Sequence, residues 1–242
     1  MSDDATQEDR EELLNLIEEE GINEFEFKNA NKIFRKDPEI ILKATYIFPA
    51  AIHYASEDLQ NRKKFILKVL KENGLALEFV QKKYQSDPEL VLEAVKSRGM
   101  SIQYADDELK KNKNIILEAI KQGNGAAIQY ADDTLKNDRD IILDAVKKSS
   151  GHALKHLNNK FKSDEEIVLA AIIRHGNAFI HASQSLKDDF DFVLKAVIKN
   201  GVSIEYANEK FKNDRNLALK AVKSSPYSFD QFSEIFKNDR DI

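Results

Sequence analysis

Four of the five histidines in this 242-residue chain fall between positions 152 and 181. His152 and His156 stand i, i+4, the spacing that puts two imidazoles on one helix face, and His181 lies 25 residues beyond His156. Two or three imidazoles on adjacent helices are part of a zinc donor set. The set here is thin, because no carboxylate is aimed at it and cysteine is absent from the chain. Lack of cysteine also removes a disulfide framework and a thiol nucleophile. Gly123-Asn124-Gly125 follows a helical stretch and has no GK[ST], so it does not read as a phosphate loop. No HExxH, GxSxG or kinase-type series is present. The expectation is no enzymatic activity and no cofactor, with His152, His156 and His181 as the weak metal candidates.

His156 and His181 also belong to a longer row. Tyr54, Phe79, Tyr104, Tyr130, His156, His181, Tyr206 and Gln231 recur at steps of 25 or 26 residues. Two readings are open. The row is a line of aromatic anchors for a partner, since exposed Tyr is a good binding residue. Alternatively, each ring packs on the next repeat with its polar tip in water. The acidic clusters Glu57-Asp58, Asp106-Asp107-Glu108 and Asp132-Asp133 would meet a basic partner, or form a solvated helix face interleaved with Lys110, Lys111 and Lys136.

The elements that position these residues are themselves repeated. Leu42, Leu67, Leu92, Leu117, Leu143, Leu169, Leu194 and Leu219 recur at steps of 25, 25, 25, 26, 26, 25 and 25 residues. Eight repeats are clear, and a degenerate copy stands around Leu14 and Gly21. Asp87-Pro88-Glu89 supplies an N-cap, a proline that needs no donor and an acid at the positive end of a helix; Asp37-Pro38-Glu39 repeats the device. Gly99 is expected to end this first helix, about ten residues long, in the left-handed conformation. Leu90, Val91, Leu92, Ala94 and Val95 make it the more buried layer. Ser101 to Lys110 is predicted to form a second helix, with Ile102, Ala105 and Leu109 as its apolar stripe and Gln103, Asp107 and Lys110 facing solvent. Neither helix is stable alone, so the repeats must stack.

Composition agrees with a folded, soluble chain: 42% hydrophobic and 33% charged residues, with 8 Gly and 4 Pro. Residues 1 to 20 hold nine acids against Arg10, and the net charge of −5 lacks the basic footprint of a nucleic-acid binder. No apolar run reaches the roughly 18 residues of a membrane span, and the start lacks the features of a secretory signal.

Phe211-Lys212-Asn213-Asp214-Arg215 and Leu219-Lys220-Ala221-Val222, with Leu109-Lys110-Lys111-Asn112 and Ile128-Gln129-Tyr130-Ala131, resemble a tandem helical-repeat family, domain of unknown function 4116. The resemblance spans roughly residues 30 to 242; residues 150–161 and 226–236 depart most from it. It implies tandem arrays found in bacteria and protists, sometimes within multidomain or secreted-effector proteins. No catalytic residue comes with it.

The chain is therefore expected to be all-α: a right-handed α-solenoid of about nine ~25-residue helical hairpins. Residues 1–10 form an acidic, disordered lead-in and residues 11–242 a single domain, its clear repeats starting from about 37. The expected function is an interaction scaffold binding a protein or peptide through Tyr54, Phe79, Tyr104, Tyr130, His156, His181 and Tyr206. The alternatives are a spacer or targeting arm of a larger protein, a nucleic-acid-binding solenoid and a metal-binding module. No membrane partner is expected. Residence is cytoplasmic, in a host's cytosol if the chain is part of a secreted effector. Because the chain stops at Phe236-Lys237-Asn238-Asp239-Arg240-Asp241-Ile242, where a new first helix begins, end-to-end self-association through the last repeat is a further expectation. The two 26-residue repeats mark the middle as the place where regular stacking changes.

Overall fold

The ten-residue pattern after each capping Asp or Asn becomes a ten-residue α-helix. A computed structural model describes residues 6–29, 32–123, 125–149, 151–231 and 236, which are helical with no strand among them. The long helices are α1 (Gln7–Asn15), α2 (Pro38–Ile47), α3 (Lys63–Glu72), α4 (Pro88–Ser97), α5 (Lys113–Gln122), α6 (Arg139–Lys148), α7 (Glu165–Arg174), α8 (Phe190–Lys199) and α9 (Arg215–Ser224). Asp37, Asp87, Asn112, Asp138 and Asp164 each accept from two free N–H groups of the first turn, and Asp189 and Asp214 from one. Pro38 and Pro88 open their helices as expected.

The chain forms two compact units, residues 1–123 and 124–242, where a single domain over 11–242 is the expectation from sequence. In the first, α2, α3, α4 and α5 pack in succession; in the second, α6, α7, α8 and α9 do so. The division falls at the first 26-residue repeat. Helix α1 begins at Gln7, inside the stretch read as a lead-in, where Thr6 and Asp9 form a reciprocal capping box. Arg10 holds it to the next repeat through Asp37 and Glu39, each at 2.6 Å.

Two expectations about each repeat are corrected. Gly99 does not end α4 in a left-handed conformation. Arg98 does so in extended backbone (φ −144, ψ 104), and the positive-φ glycines are Gly21, Gly125 and Gly151. Gly99 is required by close approach instead: a β-carbon there would overlap the Ala119 carbonyl oxygen, as one at Gly74 would overlap Ala94 and one at Gly201 would overlap Ala221. Each such glycine lies twenty residues before the alanine it meets, so one turn seats on the helix end of the next repeat. Gly125 and Gly151 (φ +85 and +82) belong to the two 26-residue repeats, where one extra residue precedes the glycine.

The second segment is not one helix. Gly99–Tyr104 is a 3-10 helix, Ala105 is extended (φ −71, ψ 155), and Asp106 caps a new short helix, Asp107–Lys110. Gly99, Ile102 and Ala105 stand three apart, which suits the threefold turn of a 3-10 helix. Ile102, Ala105 and Leu109 are all buried, as the stripe requires. Asp107 faces solvent, whereas Gln103 and Lys110 are half-buried. The acidic clusters are explained locally: Asp106 and Asp132 are N-caps, while Asp107, Glu108 and Asp133 pair with Lys110, Lys111 and Lys136. Consecutive short helices are joined through backbone: the N–H groups of Ser56, Asp106, Ser183 and Asn208 donate to the carbonyls of Arg35, Gln85, Lys162 and Lys187 at 2.7 to 3.1 Å.

In α4 the buried residues are Leu90, Val91, Ala94 and Val95, while Leu92 is only half-buried. The same holds for all eight marker leucines. The residue that makes the repeat visible therefore lies at the edge of the core.

Ion pairs tie neighbouring caps together. Arg139 donates to Asp164 at 2.7 and 3.1 Å and to Glu166 at 2.7 Å. Its hydrogen bond, ahead of the opposing effect of burial, holds the Asp164 carboxyl below the usual carboxylate range. A depressed folded-state pKa contributes stability that is present above the unfolded value near 3.9 and is lost as pH falls through the folded one. Arg139 is 45% exposed, so solvent screens the pair. Arg139→Met is expected to lower stability slightly at pH 7, a difference from wild type that fades in urea denaturation as pH falls through the depressed Asp164 titration.

Candidate functional site

Every member of the aromatic and histidine column ends a 3-10 segment. Tyr54, Tyr104, Tyr130, His156, His181 and Tyr206 are the last residues of theirs, and Phe79 immediately follows Gly74–Glu78. All seven are half-buried. Each ring is partly covered and keeps an accessible edge. Tyr54 is the most engaged: its hydroxyl donates to the Glu24 carboxylate, its ring lies 6.4 Å from Phe27, and Arg35 sits 5.8 Å over it. The bond to Glu24, with burial second, raises the Tyr54 phenol above its ordinary value. For Tyr206 burial is the first cause of the same shift, followed by the Glu205 carboxylate.

A second row runs beside the column at the end of each short helix: Gln60, Gln85, Lys110, Lys136, Lys162, Lys187 and Lys212. Several turn inward to the backbone that carries the column. Gln60 donates to the Ala55 carbonyl at 2.8 Å, Gln85 to Leu77 at 2.9 Å and Lys187 to Ile180 at 2.7 Å.

Cavities open at the column in both compact units. One of about 450 Å³ is lined by Glu78, Gln103, Tyr104, Asp106 and neighbouring polar residues. Another, of about 280 Å³, is lined by Gly151, His152, His175, Asn177, Ala178, Ile180, His181 and Tyr206. A third depression, about 640 Å³, lies away from the column against Ile17, Leu42, Tyr46 and Ile47.

The repeat is now defined by its helix, its 3-10 segment and its short helix. A family model described as a domain of unknown function (DUF4116) matches residues 37–85, 87–126, 112–162, 148–187, 164–212 and 214–242. The chain belongs to this family. The longest of these matches each span about two repeats. No match was found among curated proteins or solved structures.

The metal candidates are not assembled as the spacing suggested. The i, i+4 relation of His152 and His156 presumes one α-helix, but the two residues are the ends of a 3-10 segment, His152–His156. His156 lies outside the cavity that His152 and His181 line. Among the described residues no three His, Asp or Glu side chains form a metal shell. Burial first, then Lys155 and Lys162, depresses the His156 imidazole; burial, Lys162, Lys155, Lys187 and His152 depress that of His181. A cation would enter a field that is already positive.

Two features escaped the sequence. His175 joins the cavity from the residue after α7, its ring 5.6 Å from His152. Four residues past the marker leucine, Lys71, Lys96, Lys121, Lys147 and Lys223 give way to exposed Tyr46, Ile173 and Ile198 in the other three repeats. The only signal for His175 was its place directly before Gly176, which stacking brings opposite the residue directly after Gly151. Among the described residues no helix is long and apolar enough to cross a membrane. The proposed contact through the last repeat falls on residues 232–235 and 237–242, outside those described.

Proposed function

We propose that this DUF4116 chain is a non-enzymatic interaction scaffold, stacked as a right-handed α-solenoid of about nine repeats, that binds a protein or peptide along the face carrying the column. The observation that supports this reading is the position of the cavities: one opens at Tyr104 and another at His181 and Tyr206. Half-buried rings with polar tips are held by packing, so they offer contact area at little further loss of side-chain freedom.

The test is a Tyr54→Ser, Tyr104→Ser, Tyr130→Ser, Tyr206→Ser variant, compared with wild type in affinity capture after circular dichroism and melting show a retained fold. Proteins bound by the wild type should be lost, each effective anchor being worth roughly 2 kcal/mol, or about thirtyfold in affinity. An unchanged set of partners sinks the column reading and leaves a spacer. Loss seen instead with Tyr46→Ser, Ile173→Ser and Ile198→Ser would move the site to the long-helix face.

A further inference from the structure

In the short helices, Lys110, Lys136 and Lys212 each pair with an acid three residues earlier: Asp107 at 2.9 Å, Asp133 at 3.2 Å and Glu209 at 2.6 Å. At Lys162 and Lys187 the same position holds Asn159 and Gln184. Those two half-buried lysines, and Lys155, have no carboxylate partner among the described residues. The nearby acids are engaged elsewhere: Asp164 and Glu166 hold Arg139, and Glu165 holds Lys195 at 3.0 Å. The charges of Lys162, Lys155 and Lys187 all act on His181, which lines a cavity together with His152, His175, Asn177 and Tyr206. Lys187 is fixed there by its bond to the carbonyl of Ile180, itself a lining residue. The main-chain oxygen of Lys162 is bonded to the Ser183 N–H, two residues past His181.

We propose that this cavity binds a phosphate group, with His175, His181, Asn177 and Tyr206 as hydrogen-bond donors and Lys155, Lys162 and Lys187 supplying the charge. Imidazole, amide and phenol tips donate to oxyanions, and half-buried Lys162 and Lys187, with exposed Lys155, carry positive charge that no carboxylate among the described residues offsets. The volume, about 280 Å³, lies just under the usual range of roughly 300–1,000 Å³ for ligand pockets and suits a small group. The groups facing His181 are Lys155, Lys162, Lys187 and His152, with Glu205 beside Tyr206 as the opposing charge. An anion in their midst favours protonated His181, so affinity must rise as pH falls through the imidazole range. The site does not depend on the scaffold reading, because a free ion is a sufficient probe.

The experiment follows imidazole signals by NMR in the intact chain during titration with inorganic phosphate, against chloride at matched ionic strength. His175 and His181 should shift saturably, with a dissociation constant on the order of 1 mM, and His53, outside the cavity, should not. Sulfate, whose charge is constant between pH 6 and 8, should bind about tenfold more tightly at the lower pH. The decisive variant is Asn159→Asp with Gln184→Glu, which gives Lys162 and Lys187 the acids their sister repeats carry while leaving every donor in place. It should keep the fold and weaken phosphate at least about tenfold. A phosphoserine peptide titrated in parallel separates two sources of the group: tighter binding than inorganic phosphate identifies a partner's side chain, and equal binding a free phosphate. Unsaturable shifts, shifts matched by His53, or unchanged affinity in the double variant would overturn the proposal.

Discussion

Gly74→Ala should destabilise the first compact unit by about 3 kcal/mol, at the upper end of what overpacking a close contact costs. The added methyl would overlap the Ala94 carbonyl oxygen and lie 2.8 Å from the buried Ser101 hydroxyl. Neither neighbour has room to give. The Ala94 carbonyl accepts the Arg98 N–H at 2.8 Å in the bond that closes α4, so pushing it away weakens the helix end as well. Backbone conformation is not the cause, because Gly74 is not among the positive-φ glycines. Gly176→Ala provides the comparison: its methyl would lie 2.6 Å from the side-chain oxygen of Asn200, a side chain whose bonds from the Val202 N–H and to the Ile172 carbonyl are both long at 3.3 Å, and it should cost about 1 kcal/mol. Urea denaturation of both variants decides the matter. Equal losses would mean that the glycines serve local conformation rather than the seating of one repeat on the next.

The same contact shows why the sequence disclosed the repeat more readily than the repeat's shape. A capping Asp and a proline act within a few residues, so the ten-residue helices could be read from their first turns. Gly74 and Ala94 meet only after stacking, and a glycine after a helix carries the same letter whether it serves a left-handed turn or a close approach. The break inside the second segment is hidden from the sequence for a related reason. Ile102 and Ala105 stand three apart, a spacing that α and 3-10 helices share. What separates the two is Asp106, whose carboxylate accepts the Glu108 N–H at 3.0 Å and begins a new helix. Inside an acidic cluster that cap looked like surface charge. The column survived the error because any helical segment of fixed length repeats its last residue at a fixed place. The i, i+4 pairing of His152 and His156 did not survive, because it depended on the helix type. His175 had no counterpart in other repeats: the equivalent positions hold Phe48, Asn73, Arg98 and Asn200. Its role rests on one fold contact, with nothing periodic to reveal it.

Phe179→Ala should be the most damaging single change in the second compact unit, at about 3–5 kcal/mol. Phe179 is fully buried, and its ring lies 5.8 Å from that of Phe192, which opens the core face of α8. Truncation removes the largest side chain of the 3-10 segment Gly176–His181 and leaves a cavity that close-packed neighbours fill only in part. The segment also carries Asn177, Ile180 and His181 around the proposed phosphate site, and Phe179 is the side chain that anchors it between α7 and the following repeat. Two readouts should therefore move together. Hydrogen exchange should quicken across residues 165–206 more than across 38–97, since repeat stability is a sum of neighbouring contacts. Phosphate affinity should fall at least about tenfold even under conditions where the variant is fully folded, because the donors would no longer be held in register. Phe179→Leu, which keeps most of the buried volume, should restore the greater part of both. If affinity were lost but exchange left unchanged, Phe179 would be positioning the site without supporting the core around it, which its complete burial against Phe192 argues against.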